Sequence, residues 1–403
     1  MPQVEKETAS EVYLQKAVLE GYRTIKKLEV EFLPGLNVII GKNGTGKTNL
    51  MEYLYRALNL GGKQYFVNAD LILLKATPSN EQPLHIHLES QHETMLSTNA
   101  RNKSVAYSSA VRMIIGKRGY DDTKSKIYPE YFLRDNAFLY NGIFIKHGIP
   151  NDFLFFNKPF NYSTNSEDES MAISKVFSIE VPSFLRRILF RFVTMPEEGE
   201  GQESSLKSYI KNIFTILEKL REPLRTFSGI EDIRLSKNYN IYFDATSSSY
   251  IINNLLVEFN FNKQWLPFNS LSDGTKRIFY IISEVLAEEG LYFFLQSIVP
   301  APSSNKIILL EEPELGLHPH QLEQLMKFLR EQAKHKQIII STHSPIVLDS
   351  VDPYELDRVQ IAELTPEGTQ LRRLTPEQQK KAQIFADKTG LLSDYWRFSD
   401  LEA

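Results

Sequence analysis

Apolar residues along this chain follow two periods. Three short runs lack the alternation of a half-exposed strand: Leu36-Asn37-Val38-Ile39-Ile40, Ile307-Ile308-Leu309-Leu310 and Gln337-Ile338-Ile339-Ile340-Ser341. Such runs predict central, parallel strands buried on both faces. Val18 to Phe32 predicts a strand pair, closed by the turn Pro34-Gly35. Leu50, Tyr53, Leu54, Ala57 and Leu58 recur at spacings of three and four, which is one face of a helix. Further helices are predicted from about Asp273 to Glu288, from Pro319 to Lys334, and through the apolar face Leu206, Tyr209, Ile210, Ile213, Phe214, Leu217 and Leu220. Weak alternation from Leu84 to Lys126 predicts sheet, and strands return at Ile241 to Phe243 and Leu255 to Phe261. Arg358 to Leu364 and Gln370 to Leu374 read as a hairpin around Pro366-Glu367-Gly368, followed by a helix and a tail. Thr164 to Ser170 and Glu197 to Ser205 read as polar surface loops. No internal repeat and no sustained heptad is present.

Composition narrows the class. The chain has 403 residues, which suggests two or three domains or lobes. With 42% hydrophobic and 24% charged residues it can bury a sizeable core. Lys and Arg number 46 against 50 Asp and Glu, for a net charge of -4. That balance argues against nucleic-acid binding by bulk charge and leaves room for a local basic patch. The absence of cysteine excludes disulfides, a thiol nucleophile and Cys-ligated zinc or iron–sulfur centres. No apolar run approaches the roughly 18 residues of a membrane span. The opening MPQVEKETASEVYLQ carries charges where a signal peptide needs an apolar core. The expectation is a cytoplasmic chain with no membrane partner.

The chemistry concentrates in four short segments. Gly41-Lys42-Asn43-Gly44-Thr45-Gly46-Lys47-Thr48 is a complete Walker A pattern, set between a predicted strand and a predicted helix. Its glycines let backbone N–H groups of Asn43, Gly44, Thr45 and Gly46 curl round an anion, and the helix dipole adds to the attraction. Lys47 would reach the β- and γ-phosphates of ATP, and Thr48 would ligate Mg²⁺, with Asn49 beside them. Ile307 to Glu312 reads as Walker B with a catalytic glutamate. Glu311 would contact Mg²⁺ and Glu312 would orient and deprotonate the attacking water. His343, in Ser-Thr-His-Ser-Pro after the next strand, stands where a γ-phosphate-sensing histidine sits in one ATPase class. Leu271-Ser272-Asp273-Gly274 precedes a helix. Taken alone, Ser272 or Asp273 would be a helix cap. Its place ahead of Walker B favours an anion site made by Ser272 and the Gly274 backbone.

In their order GKNGTGKT, LSDGTKR, LLEEPELGLHP and STHSP, these motifs resemble an ABC-type ATPase head of the SMC/RecF/OLD kind, and most closely stand-alone OLD-like ATPases of bacterial defence systems. The resemblance covers most of residues 12–362 and is weakest over 60–260. It implies an α/β ABC-type P-loop head, with a parallel central sheet, an antiparallel β lobe and an embedded α-helical and β insertion. It implies that Glu314 to Pro319 form the D-loop, that Arg23 lies near the nucleotide, and that a Q-loop glutamine exists, with Gln91 as the candidate. The implied domains are 1–126 and 263–362 as two parts of the head, 127–262 as the insertion and 363–403 as a C-terminal hairpin and helix.

The resemblance further implies a homodimer or higher homo-oligomer that sandwiches ATP. Walker A and B of one subunit would face Ser272 and Gly274 of another. The chain departs from SMC proteins in lacking coiled coil, and from OLD nucleases in lacking a carboxylate cluster after His343. It also carries Asp273 where a glycine is common. The implied role is control of a separately encoded effector, a nuclease or toxin, in anti-phage defence. A RecF- or SMC-like DNA-binding ATPase in repair or recombination is the alternative. Elsewhere, His85-x-His87 reads as surface sheet rather than a metal site. The basic groups Arg112, Lys117, Arg118, Lys124 and Lys126, and Arg186, Arg187 and Arg191, read as solvated faces before they read as nucleic-acid contacts.

Overall fold

The computed structural model describes residues 12–59, 68–75, 83–99, 102–115, 118–121, 140–147, 160–163, 217–244, 246, 249–286 and 305–399. The two predicted acidic loops, most of the 206–220 helix, Lys117, Lys124, Lys126 and the Arg186, Arg187 and Arg191 group lie outside these residues. The chain divides into two compact units. One comprises 1–145, 290–314 and 329–403, and the other 146–289 and 315–328.

In the first unit, β1 (Val12–Tyr22), β2 (Ile25–Glu31), β4 (Asn68–Lys75), β5 (Leu84–Asn99), β6 (Asn102–Ile115) and β7 (Arg118–Asp121) form an antiparallel sheet in the order β2-β1-β4-β5-β6-β7. The second sheet contains β3 (Leu36–Ile40), β8 (Tyr140–Ile145), β15 (Asn305–Glu311), β16 (Gln337–Thr342), β17 (Val359–Thr365) and β18 (Gly368–Arg373), ordered β18-β17-β3-β16-β15-β8. The three unalternating runs are β3, β16 and β15, paired in parallel at its centre. Helix α1 (Lys47–Leu58) lies against both sheets. Its buried Leu50, Met51, Tyr53, Leu54, Ala57 and Leu58 join one core with Leu19, Leu28, Leu71, Ile86, Ile307 and Ile339. The continuous burial of β3 and β16 follows from being covered on both faces.

The first strand begins at Val12 rather than Val18. Its pairing with β4 shifts register between Leu14 and Lys16, so the apolar set Val12, Leu14, Ala17, Leu19 breaks strict period two. The C-terminal segment holds two helices, α5 (Pro376–Thr389) and α6 (Leu392–Phe398), where a helix and a tail were predicted. Thr375 and Gln378 close a capping box at the start of α5, and Gly390 at φ 82° ends it.

The second unit contains α2 (217–227), β9 (Phe160–Ser163), β10 (Asp232–Leu235), β11 (Asn240–Asp244), β12 (Ser249–Leu255), β13 (Val257–Phe261), β14 (Gln264–Pro267) and α3 (Asp273–Leu286). The strands make two three-stranded sheets, β10-β13-β14 and β11-β12-β9. Strands β10, β12 and β14 were not predicted: β10 and β14 have four residues each, and β12 sets Ile251-Ile252 beside Asn253-Asn254 instead of alternating. Phe259, Phe268 and Phe279 form the aromatic centre, with ring centroids 4.9 Å apart for the edge-on pair Phe259–Phe279. Helix α4 (Pro319–Ala333) follows β15 in sequence. Among the described residues no helix is long and apolar enough to cross a membrane.

Buried Gln337 fixes how β16 meets β1. Its Oε1 accepts from Leu14 N at 2.9 Å, and its Nε2 donates to Leu14 O at 2.9 Å and Leu33 O at 3.0 Å. Gln337→Leu keeps the volume but removes this partner from Leu14 N and Leu14 O, while Leu33 O keeps its bond from Asn37 Nδ2 at 2.8 Å, at a cost of about 2–4 kcal/mol. The expected result is a clear fall in the denaturant midpoint of unfolding. An unchanged midpoint would show that the amide is not needed there.

Candidate functional site

The site is built at the C-terminal edge of the parallel sheet. Chain leaves β3 at Ile40, loops over 41–46 and enters α1 at Lys47. Gly44 at φ 85° and Gly46 at φ 93° take the left-handed turns that reverse the loop. Gly41 N donates to Thr342 O at 3.3 Å, which ties the loop to β16. Lys47 is buried, and its ammonium donates to Gly41 O at 2.6 Å and Lys42 O at 2.8 Å. Thr45 Oγ1 donates to Lys42 O at 3.0 Å, so Thr45 braces the loop from within.

One strand, β15, and the turn after it supply the acids. Glu311 ends β15, is 2% exposed, and takes the Thr48 hydroxyl on its Oε1. Glu312 follows at φ 45°, a strained value for a side chain of this size, and its N–H donates to Ser341 O at 2.7 Å. Glu312 Oε1 lies 3.3 Å from His343 Nδ1. Glu314 holds the turn after β16: its Oε1 accepts from Thr342 Oγ1 at 2.6 Å and His343 N at 3.3 Å, with His343 Nδ1 at 3.5 Å. Asn43, Gly44, Gly46, Lys47, Thr48, Asn49, Glu311, Glu312 and Ser341 line one cavity of about 260 Å³.

The lining suits a phosphate chain with a divalent cation. A buried ammonium and glycine-loop N–H groups meet the anion, and a hydroxyl beside a carboxylate is an oxygen ligand pair for Mg²⁺. The buried Ser341 hydroxyl has no hydrogen-bond partner, which leaves a polar atom for a ligand to satisfy.

Other predicted residues fall around this cavity or away from it. Arg23, at φ 49°, donates to Asn49 Oδ1 at 3.1 Å and pairs with Glu52 at 3.0 Å. It therefore touches the cavity wall through Asn49. The neighbouring Tyr22 hydroxyl donates to Glu52 Oε2 at 2.8 Å, and burial pushes its phenol pKa up, with the Glu52 bond adding to the rise. Ser272 and Gly274 belong to the other unit. Ser272 Oγ accepts from Thr275 N at 3.2 Å and lies 2.8 Å from Thr275 Oγ1, the geometry of a helix cap. A Cβ on Gly274 would stand 2.7 Å from Gly316 O, so its backbone packs on the turn before α4. Gln91 pairs with Ala110 across β5 and β6, and its side chain lies outside the described set. His87 Nδ1 is 2.7 Å from Asp70 Oδ1, an exposed cross-strand pair.

Sequence reasoning missed the hydroxyls behind the loop. Asn49 Nδ2 donates to Thr24 Oγ1 at 2.8 Å, Thr369 Oγ1 donates to the same oxygen at 2.8 Å, and Thr369 N donates to Thr24 O at 2.8 Å. Gly46 sits directly against them: a Cβ there would lie 2.6 Å from Thr24 Oγ1 and closer still to Thr369 Oγ1. Only chain segments distant in sequence carry this constraint, so no local pattern signals it.

Gly46→Ala and Gly44→Ala separate backbone strain from collision. Both place alanine at positive φ, a strain of roughly 1–2 kcal/mol. At Gly44 nothing lies within 4 Å of the new Cβ. Gly46→Ala should lower the melting temperature distinctly more than Gly44→Ala. Equal melting temperatures would mean that the Thr24–Thr369 contact does not confine the loop.

Comparison with known proteins bears on the family and the fold. The family profile described as "AAA domain, putative AbiEii toxin, Type IV TA system" matches residues 36–349. The chain is 24% identical over 389 residues to "Endonuclease GajA" of Bacillus cereus (strain HuB5-5), covering 80% of this chain and 54% of that protein. It is 22% identical over 363 residues to "Septu protein PtuA" of Bacillus thuringiensis, covering 87% and 76%. A local match of 48% identity over 44 residues, 11% of this chain and 12% of the relative, joins it to "DNA replication and repair protein RecF" of Lactobacillus acidophilus. The chain thus spans about half the length of the GajA protein and a small part of RecF. Among solved structures, an Smc head bound to the C-winged helix domain of ScpA aligns with 92% of this chain and 99% of that one, at TM-score 0.50 and 15% identity, a likeness of fold. With its strand–loop–helix, its paired carboxylates and a family match across most of its length, the chain belongs to this AAA family and is an ABC-type P-loop ATPase head of the OLD-like kind.

Proposed function

We propose that this protein hydrolyses ATP with Mg²⁺ at sites shared between two or more copies, and that the nucleotide cycle controls a separately encoded effector in the cytoplasm. The observation that carries the proposal is the convergence of Lys47, Thr48, Glu311 and Glu312 on one cavity beside a glycine loop. Lys47 already makes 2.6 and 2.8 Å contacts to loop carbonyls, and a triphosphate offers its ammonium better-charged acceptors at short range. The loop N–H groups and the α1 dipole hold the phosphates. Thr48 and Glu311 would hold Mg²⁺, which when bound neutralises charge on the phosphates. Glu312 accepts the proton of the water that attacks the γ-phosphate in line. His343, oriented by Glu312 and Glu314, reports whether that phosphate is present.

Ser272 and the Gly274 backbone complete the site from a second copy. Their position at the start of α3 supports this reading, since a helix N-terminus of 14 residues presents free N–H groups to an anion. Ser272 also caps α3, and a capping hydroxyl at such an end is compatible with an incoming phosphate. The effector reading is supported by the toxin–antitoxin description of the family and by similarity to a longer endonuclease. An effector of nuclease or toxin type fits both.

Lys47→Ala should abolish nucleotide binding or turnover, measured by affinity and phosphate release at saturating Mg²⁺. Glu312→Gln keeps size and hydrogen bonding but removes basicity, so hydrolysis should fall by ~10²-fold or more while ATP still binds. Light scattering with ATP should then show a longer-lived larger species. Ser272→Arg should bind ATP and fail to form that species. Full ATPase activity in Ser272→Arg would rule out the shared site and favour a single-subunit enzyme. If the ATP-bound species bound duplex DNA with high affinity and no effector, the repair reading would replace the effector reading.

A further inference from the structure

Ser341 is the one cavity residue to which neither the sequence motifs nor the proposed reaction gives a task. It lies at the C-terminal end of β16, in register with Glu311 of β15 on one side and Ile39 of β3 on the other. Neighbouring strands stand about 4.8 Å apart and register partners share a face, so Ser341 and Glu311 project side by side. The Ser341 carbonyl is engaged by Glu312 N at 2.7 Å. Its hydroxyl is buried and has no partner. Leaving a buried hydroxyl unmet is unfavourable, and a folded chain keeps one where a ligand supplies the missing bond.

Surrounding groups decide which ligand atom that is. The nearest register neighbour, Glu311, already accepts the Thr48 hydroxyl and forms with it the oxygen pair assigned to a divalent cation. Mg²⁺ gives up its hydration reluctantly and keeps several waters, whose protons need acceptors. A phosphate oxygen would approach Ser341 past two carboxylates, which oppose it, whereas a cation-bound water is drawn to the same place by them. We infer that Ser341 Oγ is the hydrogen-bond acceptor for a water of the Mg²⁺ shell and so is a positioning residue for the metal held by Thr48 and Glu311. The inference rests on the nucleotide reading of this cavity. Outer-shell partners of this kind typically change metal affinity by 10- to 100-fold when removed.

The test uses the full chain and reads its melting temperature with and without ligands. Ser341→Ala removes only the unmet hydroxyl. Without nucleotide, its melting temperature should equal or exceed the wild-type value, because no protein hydrogen bond is lost. With ATP at fixed concentration, the Mg²⁺ needed for half of the ligand-induced rise in melting temperature should increase about tenfold or more. With ATP and EDTA the variant and wild type should shift alike. Ser341→Cys, which is slightly larger and weakens the acceptor, should fall between the two.

A clear loss of stability in nucleotide-free Ser341→Ala and Ser341→Cys would overturn the inference in favour of a structural hydroxyl. An unmoved Mg²⁺ titration would overturn it too. A reduced shift of equal size with Mg²⁺ and with EDTA would assign the hydroxyl to phosphate instead, and would likewise overturn it. If the wild-type protein shows no Mg²⁺- and ATP-dependent shift at all, the nucleotide reading itself fails, and that outcome is separate from the other three.

Discussion

Parallel pairing of three fully buried strands is the constraint on which the site depends. In that ladder Thr342 stands opposite Ile40, the last residue before the loop, and Ser341 stands opposite Glu311. The loop and the carboxylates are thereby brought to one edge by the same strand. A slip of one residue in either ladder would move a group by about 3.3 Å and turn it to the other face. Gln337 opposes such a slip, because its bonds to Leu14 N, Leu14 O and Leu33 O can form in one register only. The polar residue at the start of β16 therefore helps to set where the chemistry beyond its end is placed.

The polar groups admitted to this core are largely held by partners, and two buried oxygens without one, Ser341 Oγ and Glu314 Oε2, stand at the edge of the site. Gln337 satisfies three backbone atoms of other segments. Lys47 is held by two carbonyls, and Glu314 by the turn it shapes. Glu312 takes a strained backbone angle at the point where a carboxylate must face both the cavity and His343. Strain and an unmet hydroxyl at Ser341 occur at the same edge, while the strands behind them are apolar.

Much of this was legible because it is local. The glycine loop, the acidic pair ending an apolar strand and the histidine after the next strand each carry their own spacing. The three central strands were legible because continuous apolar runs bounded by polar residues have few other readings. The start of β1 was not, since a register shift after Leu14 breaks its alternation. Strands β10 and β14 were not, because Asp232–Leu235 and Gln264–Pro267 are too short to show a period. The tie between Thr24 and Thr369 joins residues 345 positions apart, and no window along the sequence contains both.

That tie changes how the C-terminal segment should be understood. The β17–β18 hairpin continues the sheet from β3, and its Thr369 closes on Thr24 behind Gly46. Residues near the two ends of the described chain thus confine the glycine loop. Lys47 and Thr48 follow Gly46 directly in α1, so a displacement of the hairpin would reach them through one glycine with no freedom to yield. The loop is then less a flexible grip than a fixed mould, whose shape is set by hydroxyl contacts on its outer side and by β16 on its inner side. Preorganisation of this kind lets backbone N–H groups meet a phosphate chain without first being ordered, because the ordering is accomplished when the two sheets pack on α1.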